Sequence, residues 1–339
     1  MLNIPCGAVF DAFSVEQNPW TKLGLYLRKK GFFSRFYMES IAVKAPDFDD
    51  TKRGHATPLP ESELELLEFS FQIFKRLNLV AALNSSPESS SGSAIESLQS
   101  IMWTEMARND SNEVKILIHK NETRYVFPPH SCFFLGDFSR FHSAILSLAQ
   151  QQPFDLIVID PPWRNSSAKR SGVYRELPYW NLTSLPLFHF YHSGQSRTTW
   201  VAIWVTNDPE LRLFIFERLL PAWKLKAYGI WYWIKVSSQG LILNSFRSSR
   251  HKPYEQLIIA QSHDANESEK LERVQTFISI PAVHSRKPRI DQLFSRVLPT
   301  ESCMKLELFA RQVSPGWICC GNQVLMFNQL EHFKIQGLP

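Results

Sequence analysis

The stretch FDLIVIDPPWRN, residues 154–165, decides how the rest of the chain is read. Leu156 to Ile159 is an unbroken run of apolar β-formers that ends on an acid, two prolines and a tryptophan. A strand that is apolar throughout, with no alternation, belongs in a sheet covered on both faces. Proline cannot continue a central strand, so the strand stops at Asp160. The carboxylate then stands off the carboxyl end of a buried strand, where open α/β sheets bind their ligands. Pro161 and Pro162 have fixed φ and no N–H, yet their carbonyls still accept hydrogen bonds. Asp160 and a proline carbonyl make a rigid pair of acceptors with no competing donor. Such a pair suits both N–H bonds of a planar exocyclic amine, with Trp163 offering a flat face for stacking. An adenine amine is a poor nucleophile because its lone pair is delocalised into the ring. Holding its hydrogens out of plane would localise that pair and aim it at an electrophile. The same four residues are also ordinary turn chemistry, a strand-ending turn with a surface tryptophan. Spacing alone leaves both readings open.

Working outward, the same apolar pattern recurs. CFFLGD (132–137), TTWVAIWVTN (198–207), AYGIWYWIK (227–235), YEQLIIAQ (254–261), QTFISI (275–280) and CMKLELFA (303–310) read as strands. FSRFHSAILSLAQQ (138–151), a stretch from Asp208 to Leu220, and PRIDQLFSRVL (288–298) read as helices between them. Strands alternating with helices imply an α/β sheet with helices on both faces. VKILIHK and TRYVF, either side of Asn121–Glu122, read as a hairpin. Asp160, Asp137, Asn207 and Arg311 each follow an apolar strand, so one crevice could collect all four.

Before this region the chain is punctuated by proline. SELELLEFSFQIFKRLNLVAAL (62–83) then reads as an amphipathic helix with Ser62 as N-cap and a stripe of Leu64, Leu67, Phe71, Phe74 and Leu77. NSSPESSSGSA (84–94) reads as a linker or mobile loop. The expected division is an accessory region at 1–83, the serine-rich linker at 84–94, and a main domain at 95–339.

Composition narrows the function classes. The 339 residues are 44% hydrophobic and carry a net charge of +5, which permits a polyanionic partner without requiring one. The five cysteines include no CxxC pair, and an odd count in a chain this long argues against a disulfide framework. Cys319 and Cys320 in WICCGN are expected to alternate across a buried strand. No apolar run approaches a membrane span, and MLNIPCGAVFDAF lacks a basic leader, so a soluble intracellular protein is expected. GxGxxG, the P-loop, HExxH and GxSxG are all missing, which disfavours ordinary dinucleotide, nucleotide-triphosphatase, zinc-hydrolase and serine-hydrolase sites.

DPPW after an apolar strand, followed by HSRKP (284–288), LELFAR (306–311) and GWICCGNQV (316–324), resembles the DPPW-type adenine N6-methyltransferases. KRSGVY, HKPYE and ELFAR…PGW…GN look most like their methyltransferase-like protein four branch. The resemblance runs over roughly residues 110–330, with four motifs in the family's order. It implies a Rossmann-like, doubly wound mixed sheet in permuted order, the catalytic motif preceding the main cofactor segment. It also implies S-adenosylmethionine as cofactor; no metal is expected, because HExxH and a Cys/His cluster are missing from the sequence. By the same resemblance, Asp160, Pro161, Pro162 and Trp163 are the catalytic motif. Asp137, Phe138, Asp160, Lys287, Arg311, Asn322 and Gln323 would contact the cofactor, Lys287 at its carboxylate. Gln312 departs from the pattern, because many relatives carry Asn there.

RNSSAKRSGVYRELPYW (164–180) interleaves basic and aromatic residues and reads as a lid over the base. With Trp163, its Arg164, Lys169, Arg170 and Tyr174 are the expected substrate contacts, joined by Arg250 from the basic loop RSSRHKP (247–253). Solvated loops are the plainer alternative for both, and structural roles are expected for His251 and His284. The resemblance implies a nucleic-acid substrate. RNA is favoured, in particular 2′-O-methyladenosine in U2 small nuclear RNA, which would become N6,2′-O-dimethyladenosine. DNA adenine is the rival substrate, and a non-catalytic RNA-binding relative is the rival class. Action as a monomer without a membrane, and a nuclear location, with the cytoplasm as a second site, complete the expectations.

Overall fold

The computed structural model describes residues 25–27, 36–37, 61–76, 96–100, 106–118, 123–136, 138–163, 179–192, 197–248, 252–262, 271–281, 286–299 and 302–335. In chain order its strands are β1 (Leu25–Leu27), β2 (Phe36–Tyr37), β3 (Glu96–Ser100), β4 (Ala107–Asn109), β5 (Lys115–Ile118), β6 (Arg124–Phe127), β7 (Ser131–Leu135), β8 (Leu156–Ile159), β9 (Trp200–Val205), β10 (Lys226–Lys235), β11 (Tyr254–Gln261), β12 (Val274–Ser279), β13 (Lys305–Leu308), β14 (Ile318–Gly321) and β15 (Phe333–Ile335). The helices that matter here are α1 (Glu61–Arg76), α2 (Phe138–Gln151) and α3 (Pro209–Phe214).

The central sheet has ten strands in the order β2-β12-β10-β11-β9-β8-β13-β14-β7-β4. Strands β7, β14, β13, β8 and β9 are mutually parallel, and β10 and β12 run with them, while β2, β11 and β4 run the other way. The chain leaves β8 towards β9 on one side and leaves β13 towards β14 on the other. A crevice therefore opens between the carboxyl ends of β8 and β13, the switch point at which such sheets bind ligands. This is the expected α/β, doubly wound mixed sheet.

Both faces are covered, which is why β8 is buried at all four positions. Ile157 and Ile159 pack in one layer with Ile145 and Ala149 of α2 and with Leu211, Ile215 and Leu219 after β9. Leu156 and Val158 pack in the other with Trp204, Trp231, Trp233, Phe294 and Trp317. Cys319 and Cys320 fall in opposite layers, as alternation along a buried strand requires. α1 covers β10 and β12. Its Leu67, Phe71 and Phe74 share a cluster with Ile230, Tyr232, Ile234 and Ile278, so residues 61–76 belong to the same core as the sheet.

Three local expectations change. The first helix begins at Glu61, which puts Ser62 inside the first turn rather than at the cap. The Asp208–Leu220 helix is capped by Asp208 but widens to a π-turn over Ile215–Leu219. Pro221 has no N–H for the Glu217 carbonyl, and the wider turn takes up that loss. PRIDQLFSRVL forms only a short 3-10 turn, Asp291–Phe294. Pro288 biases Lys287 away from helical ψ. Asp291 is engaged by Arg289 at 2.8 Å and Lys305 at 3.5 Å. Residues 286–290 consequently lie irregular across the crevice.

Candidate active site

Along the carboxyl edge lies a pocket lined by Val158, Asp160 and Trp204 from β8 and β9, residues 286–290, Glu307, Arg311, Gln312, Ser314, Trp317 and Phe327. Each wall has a local cause. Asp160 is held where its strand ends, its N–H donating to the Leu308 carbonyl at 3.3 Å. The turn closes at once, because the Trp163 N–H reaches the Pro161 carbonyl at 2.7 Å. The loop after Arg311 is pinned by buried Asn328, whose Oδ1 accepts from the Val313 N–H at 2.7 Å and whose Nδ2 donates to the Val126 and Val313 carbonyls at 2.9 and 3.1 Å. Phe327 N–H donates to the Arg311 carbonyl at 3.0 Å.

A row of alternating charge crosses the site. Lys235, at the end of β10, bonds one oxygen of Glu255, and Lys287 bonds the other. Lys287 Nζ also lies 3.6 Å from Asp160 Oδ1. Lys287 sits over the Trp204 ring, 5.1 Å from its centroid, and Lys235 over Trp233 at 4.8 Å. Burial pushes the Asp160 carboxyl above the ordinary range against the pull of Lys287 and Arg311. Burial opposes the charge on Lys287, but Asp160 and Glu255 outweigh it and raise its pKa. Burial also opposes the Glu255 charge, and Lys287 and Lys235 overcome it, bringing the carboxyl down to about 2. Glu307 is pushed up to about 8 by burial and then by the Asp160 charge. Arg286, lowered to about 10 by burial, donates to Gln312 Oε1 at 2.9 Å and stacks over Phe327. The long amide at position 312 is thus a bridge to Arg286.

Asp160, Lys287 and Arg311 therefore meet in one pocket. Asn207 shares the edge but uses its Nδ2 on the Tyr254 carbonyl at 2.7 Å. Asn322 is exposed and Gln323 half-buried in the turn after β14, outside the pocket lining. Trp163 is a correction. It is 8% exposed, packs in the core and donates its indole N–H to the Trp204 carbonyl at 2.6 Å, so it braces the motif instead of offering an open stacking face. Phe138 opens α2, but its side chain lies outside the described residues, as do Asp137, Arg164, Lys169, Arg170, Tyr174, Arg250, His251 and His284. Among the described residues no cluster of His, Cys, Asp and Glu could hold a metal, and no helix is long and apolar enough to cross a membrane. Sequence reading missed Glu255 and Glu307 as site residues. The signal for both was present, because each is the one acid in its strand.

The wall chemistry fits a zwitterionic ligand bearing an extra positive centre. Carboxylates (Asp160, Glu307) and cations (Lys287, Arg311) face the same cavity beside the flat Trp317 and Phe327. The covered, mostly parallel α/β sheet is consistent with a Rossmann-like methyltransferase fold. Residues 154–323 match the MT-A70 family, and the chain belongs to that family. It is 30% identical over 253 residues to mouse "N(6)-adenine-specific methyltransferase METTL4", covering 71% of this chain and 52% of the mouse protein. It is 36% identical over 216 residues to Pyricularia oryzae "N6-methyladenosine RNA methyltransferase MTA1", covering 61% of this chain and 56% of the relative. It is 29% identical over 244 residues to Caenorhabditis elegans "DNA N6-methyl methyltransferase", covering 70% of this chain and 64% of the relative. The chain thus spans about half the length of the mouse and Pyricularia relatives.

Proposed function

We propose that this protein methylates the 6-amino group of adenine in nucleic acid, with S-adenosylmethionine as cofactor. The observation that carries the reading is the placement of Asp160, directly before Pro161–Pro162, on the same pocket as Lys287 and Arg311. S-Adenosylmethionine supplies an electrophilic methyl group when bound. Lys287 and Arg311 supply positive charge for a carboxylate, and Asp160 supplies negative charge for a cationic centre. Asp160 accepts one hydrogen of the amine. The Pro162 carbonyl, which has no hydrogen-bond partner among the described residues, is the candidate for the other. The Pro161 carbonyl already accepts from Trp163. As nitrogen gains the methyl group it must shed a proton, and the raised proton affinity of Asp160 suits it to take that proton. Positioning of the amine supplies most of the rate.

RNA is the favoured substrate, following the branch resemblance and the name of the Pyricularia relative. DNA is the alternative, following the name of the C. elegans relative. A 2′-O-methyladenosine in U2 small nuclear RNA, a nuclear location and action as a monomer form the finer proposal. Methyl transfer from labelled cofactor to single-stranded RNA and DNA oligonucleotides tests it, using wild type and Asp160→Asn. Transfer to adenine N6 by the wild type, with loss of at least ~10²-fold in the variant, is expected. Equal activity in the two proteins would refute the role of Asp160.

A further inference from the structure

Lys287 has two carboxylates within reach but is not shared equally. It makes a close hydrogen bond to Glu255 Oε2, while Asp160 Oδ1 lies further off at 3.6 Å, a longer ion-pair contact. The other Glu255 oxygen is held by Lys235. Glu255 thus has a cation on each oxygen and cannot swing towards solvent without breaking one bond. The geometry matters for the amine. A lysine in direct contact with Asp160 would compete for the oxygen that the amine needs.

Building on the reading of Asp160 as the amine acceptor, we propose that Glu255, anchored by Lys235, is a positioning residue for methyl transfer. It holds the Lys287 ammonium back from Asp160 and keeps an Asp160 oxygen open to the substrate amine. The titratable groups facing Asp160 are Lys287 from the crossing segment, Arg311 after β13, Glu255 on β11 and Glu307 on β13. Of these, Lys287 and Glu255 are coupled to each other, so changing Glu255 also changes what Lys287 does to Asp160.

Two substitutions push the row in opposite directions. Glu255→Gln keeps the shape of the side chain but removes the charge, so Lys287 closes on Asp160. Asp160 should then titrate lower by roughly one pH unit. Lys235→Met leaves Glu255 wholly to Lys287, draws that ammonium further from Asp160, and should make Asp160 titrate higher. The measurement is the carboxyl carbon resonance of Asp160 followed against pH in the cofactor-free protein, identified by its loss in Asp160→Asn. The acid limb of kcat should move with the same signs, and kcat of Glu255→Gln should fall ~10-fold or more. Charge removal alone would move the titration with these signs, so positioning is separated from it by kcat at a pH where Asp160 is fully ionised, which Glu255→Gln should still lower. Unmoved titration in both variants, or a shift of the same sign in both, overturns the proposal. If Glu255→Gln does not fold, Lys235→Met decides alone, an upward shift supporting the proposal and any other result overturning it. A wild type that transfers no methyl group to adenine would instead defeat the proposed function, and the titration would still report on the charge row.

Discussion

Glu307→Gln should make the cofactor-free protein more stable at pH 8 and leave it nearly unchanged at pH 5. Glu307 lines the pocket, with no side-chain hydrogen bond or ion pair among the described residues. Burial and then the Asp160 charge push its carboxyl from the ordinary 4.5 up to about 8. Between those values the unfolded chain releases the proton while the native protein retains it. Native stability therefore falls as pH rises from 4.5 towards 8, then levels off. At ~1.4 kcal/mol per pH unit, the gap from 4.5 to about 8 corresponds to roughly 5 kcal/mol as an upper bound. Contact with water through the pocket mouth reduces this to ~2–3 kcal/mol. Glutamine fills the same space and does not titrate. Urea unfolding of both proteins at pH 5, 6.5 and 8 measures the difference directly. An advantage for the variant that grows by ~2 kcal/mol or more from pH 5 to pH 8 is expected. The same difference at all three values would refute the claim that Glu307 keeps its proton in the native pocket.

Glu255 has the opposite sign. Its carboxyl is held down to about 2, so its stabilisation is complete above 4.5 and is lost as pH falls from 4.5 through 2, up to ~3 kcal/mol in all. Acid titration of the unfolding midpoint should show that loss in the wild type and a flatter curve in Lys287→Met. Gly321→Ala should destabilise by ~2 kcal/mol or more, because a Cβ there would stand 2.4 Å from the Ala310 carbonyl oxygen, where real contacts do not occur. An unchanged urea midpoint would count against this packing. Trp163→Phe should cost ~1–3 kcal/mol in urea unfolding by leaving the Trp204 carbonyl without its indole donor. No loss of stability would reopen the reading of Trp163 as a stacking face for the base.

The strands, their order along the chain and the pocket at the β8 carboxyl end were legible because they rest on local signals. Ile157 and Val158 point to opposite faces and are both apolar, which only a doubly covered sheet explains. Proline after Asp160 marks the strand end without any tertiary information. The short turn at Asp291–Phe294 was not legible in the same way. Its apolar residues Ile290, Leu293 and Phe294 have helical spacing and are buried. Its acid, however, bonds Arg289 and Lys305, and Lys305 is on a distant strand. Trp163 misled for a related reason. A tryptophan after a strand end reads as exposed, but its indole donor finds the Trp204 carbonyl, 41 residues further along the chain.

Glu255 was hidden by the topology itself. In a purely parallel sheet the crevice is built from residues that follow the strands, and a search restricted to those positions finds Asp160, Asn207 and Arg311. Here β11 is inserted antiparallel between β9 and β10, so its amino end lies at the crevice. The pairing places Glu255 opposite Trp233, beside Lys235 at the end of β10. One reversed strand therefore brings an acid between two lysines that come from strand ends or from the segment that crosses them. The two cations rest on adjacent indoles, Trp204 and Trp233, whose ring centroids are 5.8 Å apart. These rings shield one side of the charge row from water and strengthen its interactions. The reversal of β11 is thus what allows the position of Lys287 to be set from the side away from Asp160. In this fold, a lone acid at the start of an antiparallel strand deserves the same scrutiny as one at the end of a parallel strand.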